Sequence, residues 1–338
     1  MCLEKFMQLD LSELKGNKAL LSAFAAAVKG GSVPHTWIIE GPDGSGKHTF
    51  ANLFARVLMC EGDMRPCGQC GNCRRFAGGH IDLHYVVPLK SENKTVGVNE
   101  MRALKEEIYI NPISARCKVY IIENAEAVTV QGQNALLKMA EEPPENVFFV
   151  MLTHNRHALL PTLVSRAVCY SMEPLSYEDA RAVLGKVRGA DDAKIETALR
   201  LSGGYVGMAK NFLKGETLSA GIDMAEKFLS ALTEKDEFKL MMCGSPIAES
   251  RDKARSMLTA VASAVGETVR IKASVPNAAR LPIEQTERRA ASALSYGALV
   301  EIYECVCSAL ADIEAYVNVN VAVTELTVKS LQALSKNS

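Results

Sequence analysis

Apolar runs of strand length recur through the first half of the chain: TWII at 36–39, LHYVV at 83–87, KVYII at 118–122, VFFVML at 147–152 and VCYSM at 168–172. Each is a short buried run, and helical patterns separate them. The pattern therefore predicts a five-stranded parallel sheet with helices on both faces. Punctuation places the intervening helices. One runs from Lys47 to Cys60, one from Asn99 to Ile110 ahead of Pro112, and one from Gln131 to Glu142, where Pro143-Pro144 cannot continue it.

After Met172 the pattern turns to helices alone. Ser176 with Asp179 three residues on reads as a helix start, and segments at about 177–188, 191–202 and 205–214, separated by Gly189 and Gly203-Gly204, make a small three-helix unit. Further on, Leu258, Val261, Val265 and Val269 repeat at helical spacing, as do Leu299, Ile302, Tyr303, Val306, Leu310 and Ile313. These stripes read as core or partner packing. The stretch 317–323 alternates Val and Asn like a strand, but its helical neighbours predict helix. The expected division is an α/β domain over 1–173 followed by all-α domains over 174–215 and 216–338.

Two constellations carry chemistry. Gly41-Pro42-Asp43-Gly44-Ser45-Gly46-Lys47 lies between a strand and a helix, the setting in which backbone N–H groups and a helix N-terminus surround a phosphate and a lysine adds charge. The residue after the lysine should be Ser or Thr to hold Mg²⁺, and here it is His48, a poor ligand for a hard cation. Thr49 sits about 100° further round the helix and should not replace it. The loop either holds ATP without hydrolysing it or only turns the chain. The second constellation is Cys60, Cys67, Cys70 and Cys73, four thiols with Gly68, Gly71 and Asn72 between them to allow tight turns. That set closes the shell of a tetrahedral Zn²⁺ and predicts a structural site, an iron–sulfur cluster being the other tetrathiolate reading. Cys2, Cys117, Cys169, Cys243, Cys305 and Cys307 have no ligand spacing and read as small buried hydrophobes. His80, His84, His154 and His157 show no pairing with nearby acids that argues for a site.

Composition narrows the function. A chain of 338 residues, 48% apolar, can form two or three cored domains. Its 38 basic and 39 acidic residues nearly cancel, so binding to nucleic acid by bulk charge is not indicated, and any DNA contact is local or shared with partners. No apolar run has the roughly 18 residues of a membrane span, and the opening MCLEKFMQLDLSELKG carries acids where a signal peptide is apolar. The expectation is a cytoplasmic protein.

The glycine loop, the cysteine cluster and the stretch QGQNALLKMAEEPPENVFFVMLTHNRHALLPTLVSR at 131–166 together resemble the clamp-loader ATPase family of bacterial replication, and within it the delta-prime type of the DNA polymerase III holoenzyme. The likeness is strong over about 14–215. It implies an AAA+ fold with a zinc insert, a helical lid and a C-terminal helical collar. Family ATPases end the third strand with Asp-Glu, one acid for Mg²⁺ and one for the attacking water. This chain has Glu123-Asn124, and an amide cannot accept that proton. Met208 stands where the family has a phosphate-contacting arginine. By the same resemblance, Arg166 in Ser165-Arg166-Ala167 is an arginine finger offered to the ATP of a neighbouring subunit. The implied protein is a stator without ATPase activity. Its partners would be gamma/tau-like ATPases and a delta-like subunit, with the sliding clamp and primer-template DNA reached through the complex. An active gamma/tau-like motor and a stand-alone zinc-containing DNA-binding regulator are the rival readings.

Overall fold

All five expected strands pair in one parallel sheet. In chain order the strands are β1 (Gln8–Leu9), β2 (Thr36–Glu40), β3 (Met64–Arg65), β4 (Leu83–Val86), β5 (Lys118–Ile122), β6 (Val147–Thr153) and β7 (Val168–Ser171). The sheet runs β4-β5-β6-β2-β7, every neighbouring pair parallel. β1 and β3 form a separate parallel pair that no apolar run announces. This computed structural model describes residues 8–87, 104, 107–187, 191–214, 217–275, 282–314 and 317–336. Most of the helix expected over 99–110 lies outside them.

Successive side chains on a strand point to opposite faces, and both faces are dry. Val119 and Ile121 of β5 and Val150 and Leu152 of β6 join one core with Leu20, Phe24, Phe50 and Phe54 from the helices Lys18–Lys29 and Lys47–Met59. Tyr120, Ile122, Phe149 and Met151 join the other, with Leu136 and Met139 from the helix Val130–Glu141. The buried runs were near-continuous for this reason. Phe24 stacks on Phe54 at 4.9 Å and meets Trp37 edge-on at 6.0 Å, which closes the first core around aromatic contacts.

Parallel pairing sends every strand of the sheet out at the same edge. Glu40 at the end of β2 lies beside Thr153 at the end of β6, and Ile122 at the end of β5 lies beside Met151. The segments that follow these strands, from Gly41, Glu123 and His154, therefore meet at one carboxyl-end crevice, where ligands of open α/β sheets bind.

The chain divides into two compact units, Met1–Leu175 and Ser176–Ser338. Among its described residues the second unit is helical throughout. Its starts follow side-chain caps: Ser176 Oγ accepts from Asp179 N at 3.2 Å, Asp191 from Lys194 N at 2.7 Å and Asp236 from Lys239 N at 3.0 Å. Both apolar stripes point largely inward. Leu258, Val261 and Val265 on the helix Arg251–Lys272 and Leu299, Ile302, Val306 and Ile313 on the helix Tyr296–Glu314 are fully buried, whereas Tyr303 is exposed. The Val/Asn stretch leads into the helix Val319–Lys336, so helical context prevails over β-branching there. No helix among the described residues is long and apolar enough to cross a membrane.

Candidate functional site

The glycine loop begins where β2 ends. Gly41 N donates to Thr153 O at 3.0 Å, which ties the loop to β6. Gly44 and Gly46 have φ of 74° and 99°, left-handed values that favour glycine, and Gly46 caps the helix Lys47–Met59. A Cβ on Gly46 would also lie 3.2 Å from Leu14 and 3.3 Å from Met172. The loop thus has the turn and the helix N-terminus of a phosphate cradle. Its lysine is turned away from solvent. Lys47 is buried, and Nζ donates to Gly41 O and, at 3.3 Å, to Thr153 O.

His48 Nδ1 lies 3.5 Å from Glu123 Oε1. Imidazole and the strand-end carboxylate thus face each other where a metal-binding hydroxyl and its acidic partner are expected, and this donor set does not fit the Mg²⁺ of a nucleotide that is to be cleaved. Thr49 is half-buried in the first turn of the helix. Asn124 takes a left-handed φ of 48° and starts the short turn Ala125–Ala127.

A histidine that the chain's local spacing leaves unremarked occupies the centre of this edge. The His154 side chain is 8% exposed; Nε2 lies 2.8 Å from Asp43 Oδ1 and Nδ1 lies 2.6 Å from Glu126 Oε1, a carboxylate also 8% exposed. Burial works against charge on the ring, but the bonds to Asp43 and Glu126 outweigh it and carry its pKa to about 9. His154 is therefore an imidazolium with both N–H groups engaged. The partners lie 111 and 28 residues away in the chain, beyond any local spacing rule. His84 also finds an acid, Glu107, at 3.1 Å.

Arg166 follows the short helix Pro161–Val164 and is exposed. Its Nε pairs with Glu141 Oε1 at 3.0 Å and its Nη1 donates to Thr162 O at 3.2 Å. Met208 is half-buried in the helix Val206–Phe212 of the second unit.

The four predicted cysteines converge: the sulfurs of Cys60, Cys67, Cys70 and Cys73 all lie within 4.8 Å of one another. Backbone donors are already aimed at them. Gly62 N and Cys67 N approach Cys60 Sγ at 3.3 Å, Cys70 N approaches Cys67 Sγ at 3.3 Å, and Cys73 N approaches Cys70 Sγ at 3.4 Å. N–H groups pointing at sulfur stabilise thiolates, so the cluster fits a tetrahedral cation such as Zn²⁺. Asn72, 1% exposed, fastens the module to the end of the preceding helix and to the segments that lead into β4 and β5. Its amide donates to Met59 O at 3.2 Å and Glu61 Oε1 at 3.1 Å, and its Oδ1 accepts from Ser114 Oγ at 3.0 Å and His80 Nε2 at 3.2 Å. Next to it, the fully buried Asp82 accepts from the N–H groups of Ile113, Ser114 and Ala115 at 2.7, 2.7 and 2.8 Å. Burial opposes its charge, yet these bonds hold its carboxyl below the usual range.

A parallel sheet with a glycine loop at its carboxyl edge and a tetrathiol insert after the helix Lys47–Met59 is the setting in which the sequence comparisons become specific. The family described as DNA polymerase III, delta subunit, matches residues 16–176. The gamma/tau subunit of DNA polymerase III from Mycobacterium tuberculosis is 33% identical over 210 residues, which is 59% of this chain and 36% of that protein. The delta' subunit from Bacillus subtilis is 36% identical over 143 residues, 42% of this chain and 43% of that protein. Residues 16–176, just under half of the chain, thus carry a likeness to the clamp-loader subunits of DNA polymerase III. The similarity to those relatives spans well under two thirds of their own length. Among solved structures, a gamma subunit-related protein of DNA polymerase III from Thermotoga maritima gives a TM-score of 0.44 at 17% identity over 93% of this chain and 99% of that one, too loose a likeness to carry an argument.

Proposed function

We propose that this chain is a clamp-loader subunit of the delta-prime type, a stator that does not hydrolyse ATP and lends Arg166 to the ATP of a neighbouring subunit. The contrast along one sheet carries this reading. His48 faces Glu123 in place of a metal-binding hydroxyl, and Lys47 is turned onto backbone carbonyls, while Arg166 is exposed at the surface. Phosphoryl transfer is accelerated mainly by positioning and charge, and an arginine supplied from outside can contribute much of it. The Glu141 pair does not oppose this role, because an ion pair at an open surface is worth at most about 1 kcal/mol and is easily exchanged.

In this reading 1–173 is the AAA+ domain, 174–215 the lid and 216–338 the collar that joins related subunits. The partners are gamma/tau-like ATPases and a delta-like subunit, with the sliding clamp and primer-template DNA bound by the assembly. Zn²⁺ on Cys60, Cys67, Cys70 and Cys73 is structural, and ATP in the loop of Gly41, Gly44, Gly46 and Lys47 would be a static ligand. The test is ATP turnover by a loader reconstituted from gamma/tau-like and delta-like subunits. Arg166→Ala leaves assembly intact and lowers DNA-stimulated turnover at least tenfold; undiminished turnover overturns the assignment.

A second reading, a gamma/tau-like motor, is favoured by the length of the gamma/tau match, 210 residues against 143 for the delta' relative. ATP hydrolysis by the purified chain, abolished by Lys47→Ala, would establish it.

A further inference from the structure

The carboxyl edge is bridged by its own side chains. Asp43 lies inside the glycine loop, His154 directly follows β6, and Glu126 follows β5, so the His154 bridge spans the ends of three strands. The phosphate-binding cation is engaged on the same strand end: Lys47 donates to Thr153 O, the residue before His154, and to Gly41 O within the loop. For Lys47 to meet a phosphate it must leave these carbonyls, and the loop that carries Asp43 must be free to rearrange around it.

We propose that His154 is a latch: by bridging Asp43 of the phosphate loop to Glu126, it holds the loop in a conformation that excludes nucleoside triphosphate. The inference deepens the stator reading and rests on it, because it accounts for an own site kept idle. Other contacts keep the strand ends together when the bridge opens. Arg156 N donates to Glu40 Oε1 at 3.1 Å, and Gly41 N donates to Thr153 O at 3.0 Å. The charged groups on the ring are Asp43 and Glu126, which hold the imidazolium, and Lys47, which repels it. The loop can therefore change state without unfolding the sheet. A ligand whose binding-competent state is rare binds weakly in proportion to that rarity. The latch thus lowers affinity even though every element of a cradle is present.

For His154→Ala charge alone predicts the opposite sign, although for Asp43→Ala it predicts the same one. Removing a cation beside a phosphate site weakens phosphate binding, whereas removing a latch strengthens it. The experiment is titration of the purified full-length chain with a ribose-labelled fluorescent ATP and Mg²⁺, with hydrogen exchange of 41–48 read alongside. His154→Ala is expected to bind roughly tenfold tighter than the parent and to exchange faster in the loop. Asp43→Ala, at a partly exposed position, breaks the same bridge while leaving His154 on Glu126; because removing an anion by itself favours a phosphate, it reports through exchange in the loop without nucleotide, which a charge effect leaves unchanged and a released latch speeds, even if the buried change harms folding. The two changes combined are expected to gain no more than either alone, since both open one bridge. Lys47→Ala added to either variant is expected to abolish the gain. Unchanged or weaker binding by folded His154→Ala overturns the latch whatever the affinity of Asp43→Ala, as does unchanged loop exchange in Asp43→Ala or an additive gain in the double variant. Neither result bears on Arg166, whose role is read from turnover of the reconstituted loader.

Discussion

Glu287 offers a sharp test of the energetics of the helical unit. It lies on the helix Glu284–Ala293, is fully buried, and neither carboxyl oxygen has a hydrogen-bond partner among the described residues. Burial, then the charges of Glu267 and Glu284, push its pKa to about 8, against a smaller pull from Arg200. Because the folded state holds this proton more tightly than the unfolded chain, no stability is lost below about pH 4.5. Between there and pH 8 the unfolded chain ionises and the folded one does not. Stability must therefore fall by about 1.4 kcal/mol per pH unit, levelling off above pH 8 after roughly 3 to 5 kcal/mol. Glu287→Gln removes the proton while keeping the shape. Urea unfolding followed by far-UV circular dichroism, with hydrogen exchange of 284–293 to localise the effect, should show a loss of about 3 kcal/mol between pH 5.5 and 7.5 in the parent that the variant lacks. The difference in slope is the readout, because an amide left unpaired has its own cost at every pH. Parallel pH profiles for parent and variant would refute the reasoning.

Cys70→Ser removes one of four converging thiolates; zinc analysis of the purified variant should show loss of the metal with protease sensitivity confined to 60–79, and full zinc stoichiometry would contradict the site. Asp82→Asn keeps the shape but weakens the three N–H bonds at Ile113, Ser114 and Ala115, costing about 2 kcal/mol in urea unfolding read through Trp37 fluorescence. Since the folded carboxyl pKa is depressed, that stability is present above about pH 4 and lost as pH falls below it, so parent and variant should converge in acid.

The sheet was legible because its strands are buried on both faces, which makes them short continuous apolar runs bounded by helices. The pair β1 and β3 was not, since Gln8–Leu9 and Met64–Arg65 are two residues each and are defined by backbone pairing rather than by burial. The helix after Val317 was legible only through its neighbours. The tetrathiol module was legible in its sulfurs but not in its fastening. Asn72 reads as a turn residue between two cysteines, and nothing local reveals that it bonds Met59, Glu61, His80 and Ser114 at once.

The glycine-loop edge separates what spacing can show from what topology must show. His48 and Asn124 stand at motif positions, so their chemistry is visible as a departure from what phosphate transfer needs. His154 stands at no motif position, and its acids are in other segments. Yet parallel pairing alone places the residues after β2, β5 and β6 on one edge, and those residues include Asp43, Glu123 and Glu126. Asp43 and Glu126 come from two of these segments, and a histidine arriving on the third is held between them as a group able to become cationic. Once strand order is known, the search for partners of a titratable residue runs across strand ends rather than along the chain.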